Sequence, residues 1–148
     1  MGFEIERKFL VNKERWNFHT KDKGEEIIQG YLCKNPEQTI RIRVKGESGF
    51  ITVKGKTEGI SRLEFEYLIP KLDAEEMIKH FCDRYIHKIR YTLTVGTHIW
   101  EVDEFIAPNK GLILAEIELK DQDEAFILPE WIEKEVSNDP AYFNANML

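Results

Sequence analysis

The dominant pattern along the chain has a period of two. Glu4-x-Glu6-x-Lys8 opens it, and Arg41-x-Arg43, Thr52-x-Lys54, Arg62-x-Glu64-x-Glu66, Lys88-x-Arg90, Glu101-x-Asp103 and Glu116-x-Glu118 follow. The interleaved residues are largely apolar: Ile40, Ile42, Val44; Ile51, Val53; Leu63, Phe65, Tyr67; Ile89, Tyr91; Trp100, Val102; Ala115, Ile117, Leu119. Residues i and i+2 share one face of a strand, so each segment predicts a strand with a greasy face and an ionic face. Gln29-Gly30-Tyr31-Leu32 is a weaker strand candidate. Gly46-Glu47-Ser48-Gly49 predicts a hairpin, Gly55 to Gly59 a longer connection, and Asn109-Lys110-Gly111 a turn.

Helical signals are fewer. Asp73-Ala74-Glu75-Glu76 reads as an acidic capping box with Asp73 as N-cap, followed by an apolar stripe of Met77, Ile78, Phe81 and Cys82. Residues 12–18 and 121–126 suit short helices. Asp139 before Pro140 predicts an N-cap with proline at the first helical position, opening a C-terminal helix over 141–147.

The ionic rows repeat their sign: Glu-Glu three times, Arg-Arg, Lys-Arg and Glu-Asp once each. Adjacent like charges oppose one another, so they need compensation from neighbouring strands or from a ligand. Seven or eight such strands can close into a barrel with the ionic faces inward, wide enough to hold one small ligand. The expected fold is therefore α+β, mainly β: a closed barrel with a charged lumen and helices packed outside.

Composition narrows the classes. The chain has 148 residues, 42% hydrophobic and 32% charged, which suits one folded domain spanning 1–148. Its formal charge of −6 argues against a nucleic-acid polymer as partner, because duplex binding needs a positive footprint. No apolar run is long enough for a membrane helix and no secretory signal opens the chain, so a soluble cytoplasmic protein is expected. Two cysteines, Cys33 and Cys82, are too few for a disulfide framework and are expected as buried thiols. The four histidines are not at metal-ligand spacing, and no Walker-type glycine loop or Ser-His-Asp pattern is present.

The proposed lumen would carry Lys8, Arg41, Arg43, Lys54, Lys88 and Arg90 as cations. Glu4, Glu6, Glu64, Glu66, Asp103, Glu116 and Glu118 would be its acids. Arginine forks and lysine ammoniums suit phosphate oxygens, and clustered carboxylates suit hard cations such as Mg²⁺ or Mn²⁺. A chain of phosphates with bound metal meets both demands.

Glu4-Ile5-Glu6-Arg7-Lys8 resembles the ExExK signature of the CYTH superfamily, the triphosphate tunnel metalloenzymes. The likeness runs through Gln29-Gly30-Tyr31-Leu32, Arg41-x-Arg43, Thr52-x-Lys54-Gly55, Arg62-x-Glu64-x-Glu66, Lys88-x-Arg90-Tyr91, Trp100-Glu101-Val102-Asp103, Gly111-Leu112 and Ala115-Glu116-Ile117-Glu118-Leu119. The tail, with Pro129-x-Trp131, Glu135-Val136, Asp139 and Tyr142-x-Asn144, is similar to that of the short bacterial members. Glu133, where the family usually has glycine, and Ser137, where it has threonine, depart from the pattern. So does the absence of a glycine soon after Phe105.

The resemblance implies an eight-stranded antiparallel tunnel with a C-terminal helix near one mouth, and a divalent-metal-dependent triphosphatase. Glu4, Glu6, Glu116 and Glu118 would be the main metal ligands, with Glu64, Glu66 and Asp103 as a second acidic cluster. Lys8, Arg41, Arg43, Lys54, Lys88 and Arg90 would hold phosphate, and Glu64, Glu66, Lys88 and Lys8 are the candidate catalytic groups. The cofactor would be Mg²⁺ or Mn²⁺, and the partner a small triphosphate, with the protein a monomer or homodimer. Inorganic triphosphate is the favoured substrate. Class IV adenylate cyclase, thiamine triphosphatase and a non-catalytic polyphosphate binder are the rivals. Tyr31, Trp100 and Trp131, the aromatics a thiamine group could use, read as core residues.

Overall fold

The computed structural model describes residues 2–19 and 21–148. Among them the order is β1 (Gly2–Val11), α1 (Lys13–Phe18), β2 (Glu25–Asn35), β3 (Gln38–Lys45), β4 (Ser48–Gly55), β5 (Ser61–Ile69), α2 (Lys71–Phe81), β6 (Ile86–Val95), β7 (His98–Ala107), β8 (Ile113–Leu119) and β9 (Ile132–Glu135). Two 3₁₀ turns, Pro140–Tyr142 and Asn144–Met147, end it.

The sheet runs β5-β4-β3-β2-β6-β7-β8-β1, and β1 pairs in turn with β5 from Gly2↔Glu64 to Ile5↔Ser61. Eight antiparallel strands therefore close into a barrel, as the alternation predicts. Closure leaves these strands no open edge. The ninth strand, absent from the sequence reading, takes over the edge of β1 that β5 leaves, at Phe9↔Glu135 and Val11↔Ile132. At four residues, Ile-Glu-Lys-Glu, it is too short to display a period. The β3–β4 hairpin turns at Gly46, whose φ of 57° is a conformation glycine adopts without a Cβ clash.

Three apolar clusters hold the barrel. On the outer face, Trp16 from α1 packs with Trp100, Trp131, Phe9, Val102 and Ile117, and all three indoles are almost fully buried. Each such side chain contributes on the order of 1.5–3 kcal/mol of hydrophobic stabilisation. A second outer cluster seats α2 on β3 and β4 through Ala74, Ile78, Ile42 and Ile51. A Cβ on Gly49 would lie 2.9 Å from the Ala74 Cβ, so glycine there admits the helix. The third cluster corrects the picture of an entirely polar interior. Ile86, Phe105 and Leu114 continue the inward faces of β6, β7 and β8 and meet Val136 and Met147, giving that part of the barrel an apolar floor.

Helix boundaries depart from expectation. α2 starts at Lys71 behind Pro70, and the first helical bond runs from Ala74 N to Pro70 O, so Asp73 lies inside the first turn and does not cap it. Its charge still favours the positive helix end. Phe81 is exposed, because the buried stripe is Ala74 and Ile78. Residues 121–126 form a turn instead of a helix. Asp121 Oδ1 accepts from Asp123 N, and Glu124 Oε1 accepts from Lys120 N, local bonds that compete with a helical ladder. Asp139 does cap, accepting from Ala141 N, but the segment behind it is two 3₁₀ turns separated by the extended Phe143. A continuous α-helix would commit the Tyr142 carbonyl to its own ladder; here it accepts from Lys8 Nζ at 2.9 Å. Cys33 and Cys82 are free and half-buried, not fully buried. No helix among the described residues is long and apolar enough to cross a membrane.

Candidate functional site

The barrel encloses a cavity of about 610 Å³. Twelve of the thirteen charged residues singled out from the sequence line it: Glu4, Glu6, Lys8, Arg41, Arg43, Lys54, Glu64, Glu66, Lys88, Arg90, Glu116 and Glu118. They come from six strands, each placed by the period of two. Asp103 is the exception. It lies beneath the cavity wall, 2% exposed, and its two oxygens are taken by Arg90 (2.7 and 2.9 Å) and Lys88 (2.8 Å). That bidentate clamp fixes both cations from behind and uses the oxygens a metal would need.

Two further charged residues of the wall, Arg62 and Glu101, belong to the same alternating rows, so their signal was present although neither was singled out. Arg62 donates to Gly55 O and Thr39 Oγ1, and Glu101 accepts from Arg90 at 3.1 Å. Tyr31, expected in the core, lies in the wall and accepts a hydrogen bond from Gln29. Trp100 and Trp131 are core residues on the outer face, as expected. Asn144 and Ser137 enter from the C-terminal segment.

The acids crowd one side. Glu6 stands directly across from Glu118 in the β1–β8 ladder, and Glu101 directly across from Glu116 in the β7–β8 ladder. Like charges in opposed positions destabilise a sheet unless compensated. Lysines compensate part of it: Lys54 reaches Glu4 at 3.0 Å and Lys8 reaches Glu116 at 3.5 Å. Burial pushes both carboxyls up, but Lys54 brings Glu4 down to about 2, and Lys8 with Arg90 does the same for Glu116. Glu6 is left well above the carboxylate range by burial and the charges of Glu116 and Glu4. Glu64, hydrogen-bonded to Glu4 and partly buried, is pushed up to about 8. Glu118 is raised by burial and by Glu4 and Glu101. This wall holds more carboxyl groups than its lysines neutralise, and the raised pKa values of Glu6, Glu64 and Glu118 are the consequence.

The opposite side is cationic. Burial, then Arg41 and Arg90, lowers Arg43 to about 9. Burial, only partly offset by Asp103, lowers Lys88 to about 7. Arg41 reaches Thr52 at 3.2 Å and Glu66 at 3.4 Å, while its Nε is buried with no partner. An orphaned guanidinium N–H in a wall of cations is a donor suited to an anionic oxygen.

Among the described residues no three His, Cys, Asp or Glu side chains form a ready-made metal cage. The donor set nonetheless fits Mg²⁺ or Mn²⁺. Hard cations of this size are usually bound by one or two carboxylates together with substrate phosphates and water, and an under-neutralised carboxylate wall facing phosphate-seeking cations supplies that arrangement.

A closed antiparallel barrel with opposed acidic and basic walls is a tunnel built to enclose a small polyanion. The CYTH domain model matches residues 2–145, and the chain belongs to that family. It is 43% identical to an inorganic triphosphatase of Acetivibrio thermocellus over all of this chain and 94% of that protein. It is 35% identical to an inorganic triphosphatase of Nitrosomonas europaea, covering 95% of this chain and 93% of that protein. A crystal structure of an inorganic triphosphatase superposes with a TM-score of 0.68 at 31% identity, covering 99% and 94% of the two chains.

Proposed function

We propose that the protein hydrolyses inorganic triphosphate to pyrophosphate and phosphate with the help of Mg²⁺ or Mn²⁺. The single observation that carries this reading is the meeting of a cationic wall and an under-neutralised acidic wall across one enclosed cavity. The two full-length relatives named inorganic triphosphatase support it.

Arg41, Arg43, Lys54, Lys8, Lys88 and Arg90 bind the phosphate oxygens and hold the chain extended along the lumen. Their fixed charges stabilise the charge that develops on the transferred phosphoryl group without reorganising. Glu4, Glu6, Glu116 and Glu118 would hold the metal, which when bound withdraws charge from the phosphates and polarises water. Glu64 and Glu66, on the inner face of β5, orient the attacking water, and Glu64 with its pKa near 8 can hold a proton at neutral pH. Lys88 is a phosphate ligand, seated by Asp103. Tyr31, from β2, and Phe143, within the C-terminal segment, are the aromatic residues in the described wall, and the two relatives named inorganic triphosphatase favour an inorganic substrate over one carrying a base or a thiazolium ring.

The test is phosphate release from inorganic triphosphate, thiamine triphosphate and ATP with each metal, with chromatography for cyclic AMP. Preferred release from inorganic triphosphate is expected. Preference for thiamine triphosphate, or cyclic AMP as the main product from ATP, would overturn the proposal.

A further inference from the structure

Lys88 and Arg43 stand on β6 and β3, separated in the sheet by β2. A single hydrogen-bonded chain nevertheless joins them, and its central link comes from the far end of the sequence. Asn144 Oδ1 accepts from Lys88 Nζ at 2.9 Å and from Gln29 Nε2 at 3.2 Å. Gln29, fully buried on β2, accepts from Arg43 Nε at 3.1 Å through its own Oε1. The Lys88 ammonium is thus suspended between Asp103 beneath the wall and Asn144 in the lumen. An ammonium has three donors, so two fixed acceptors leave one N–H with a set direction for substrate. On Arg43 the same chain occupies Nε and leaves the terminal nitrogens free to meet phosphate.

We propose that Asn144 is a positioning residue: by holding Lys88 directly and Arg43 through Gln29, the C-terminal segment sets the spacing of two phosphate-binding cations. The inference rests on the triphosphatase reading and deepens it. Without the Asn144 acceptor, Asp103 draws the ammonium toward the wall, and Gln29 Nε2 keeps only Tyr31 OH, at 3.3 Å, so the link between the two cations is broken. Substrate binding should then weaken more than turnover at saturation.

The experiment compares the unaltered protein with Asn144→Leu, which keeps the branching of the side chain and removes the acceptor, and with the smaller Asn144→Ala as a second variant in case the first fails to fold. Thermal melts establish folding. Steady-state kinetics with Mg²⁺ give KM and kcat, and calorimetry in a chelator gives binding of inorganic triphosphate to the cations alone. Loss of one charge-assisted hydrogen bond should raise KM and weaken metal-free binding roughly tenfold, with kcat much less affected. In a Lys88→Met background, removing Asn144 should cost only the part that runs through Gln29 to Arg43, so the double variant should lose clearly less metal-free binding than the product of the two single losses.

Independent, multiplicative losses in the double variant would overturn the assignment. So would tighter binding by Asn144→Leu, which would show Asn144 competing with phosphate for Lys88. If the unaltered protein turns over triphosphate and both Asn144 variants match it, this inference alone fails. If the unaltered protein neither binds nor hydrolyses triphosphate, the functional reading fails and this one falls with it.

Discussion

Asp103→Asn is the sharpest perturbation of the basic wall. The carboxylate is buried, meets Arg90 through both oxygens and also meets Lys88, and these cations hold its pKa far below the usual range against the opposing effect of burial. The substitution keeps the shape and removes the charge, leaving two buried cations without their shared counterion. Breaking a buried pair costs about 3–5 kcal/mol, and in a domain of this size each kcal/mol moves Tm by roughly 2–4 °C, so a fall on the order of 6–20 °C follows. The lower part of that range applies, because Lys88, already near 7, can relieve the strain by releasing its proton. Inorganic triphosphate without metal should recover more stability in the variant than in the parent, since the polyanion replaces the missing charge. Differential scanning calorimetry with and without the ligand measures both effects. An unchanged Tm, or a ligand-induced rise no larger than in the parent, would refute the view that Asp103 neutralises the wall from behind.

Glu116→Gln should lower triphosphate turnover by two to three orders of magnitude, by analogy with loss of one well-placed charge, while circular dichroism stays that of the folded barrel. Retained activity would remove Glu116 from the metal-binding set. Trp131→Ala empties a site packed against Trp16 and Trp100 and should cost about 3–5 kcal/mol in urea unfolding; a loss under about 1 kcal/mol would show that this cluster does not secure the β9 strap. The surface pair Arg7–Glu135 gives a pH test. The Arg7 hydrogen bond lowers the Glu135 pKa on folding, so its stabilisation is full above the ordinary carboxylate value and disappears as pH falls through the folded value. Glu135→Gln should therefore lower the unfolding free energy at pH 7 by less than about 1 kcal/mol for so exposed a pair, and have no effect in strong acid. A gap that persists in acid would contradict it.

The ionic lumen was legible in the chain because a strand's period of two is a local property. Once Arg41-x-Arg43 and Glu116-x-Glu118 are on strands, each pair must share a face. The alternation therefore specifies the eight barrel strands, the charged rows on their inward faces and a composition suited to phosphate and metal, but not β9. Which charges meet follows from strand register and barrel closure. Asp103 reads like Glu116 in the sequence, yet the β6–β7 ladder sets it against Arg90 and hands it to two cations beneath the wall. Asn144 stands in the Tyr142-x-Asn144 motif of the tail, whose spacing names no partner, and the break at Phe143 brings it to Lys88. These pairings join residues from 13 to 56 positions apart, and their geometry is fixed by strand register and docking of the tail, which no local period encodes.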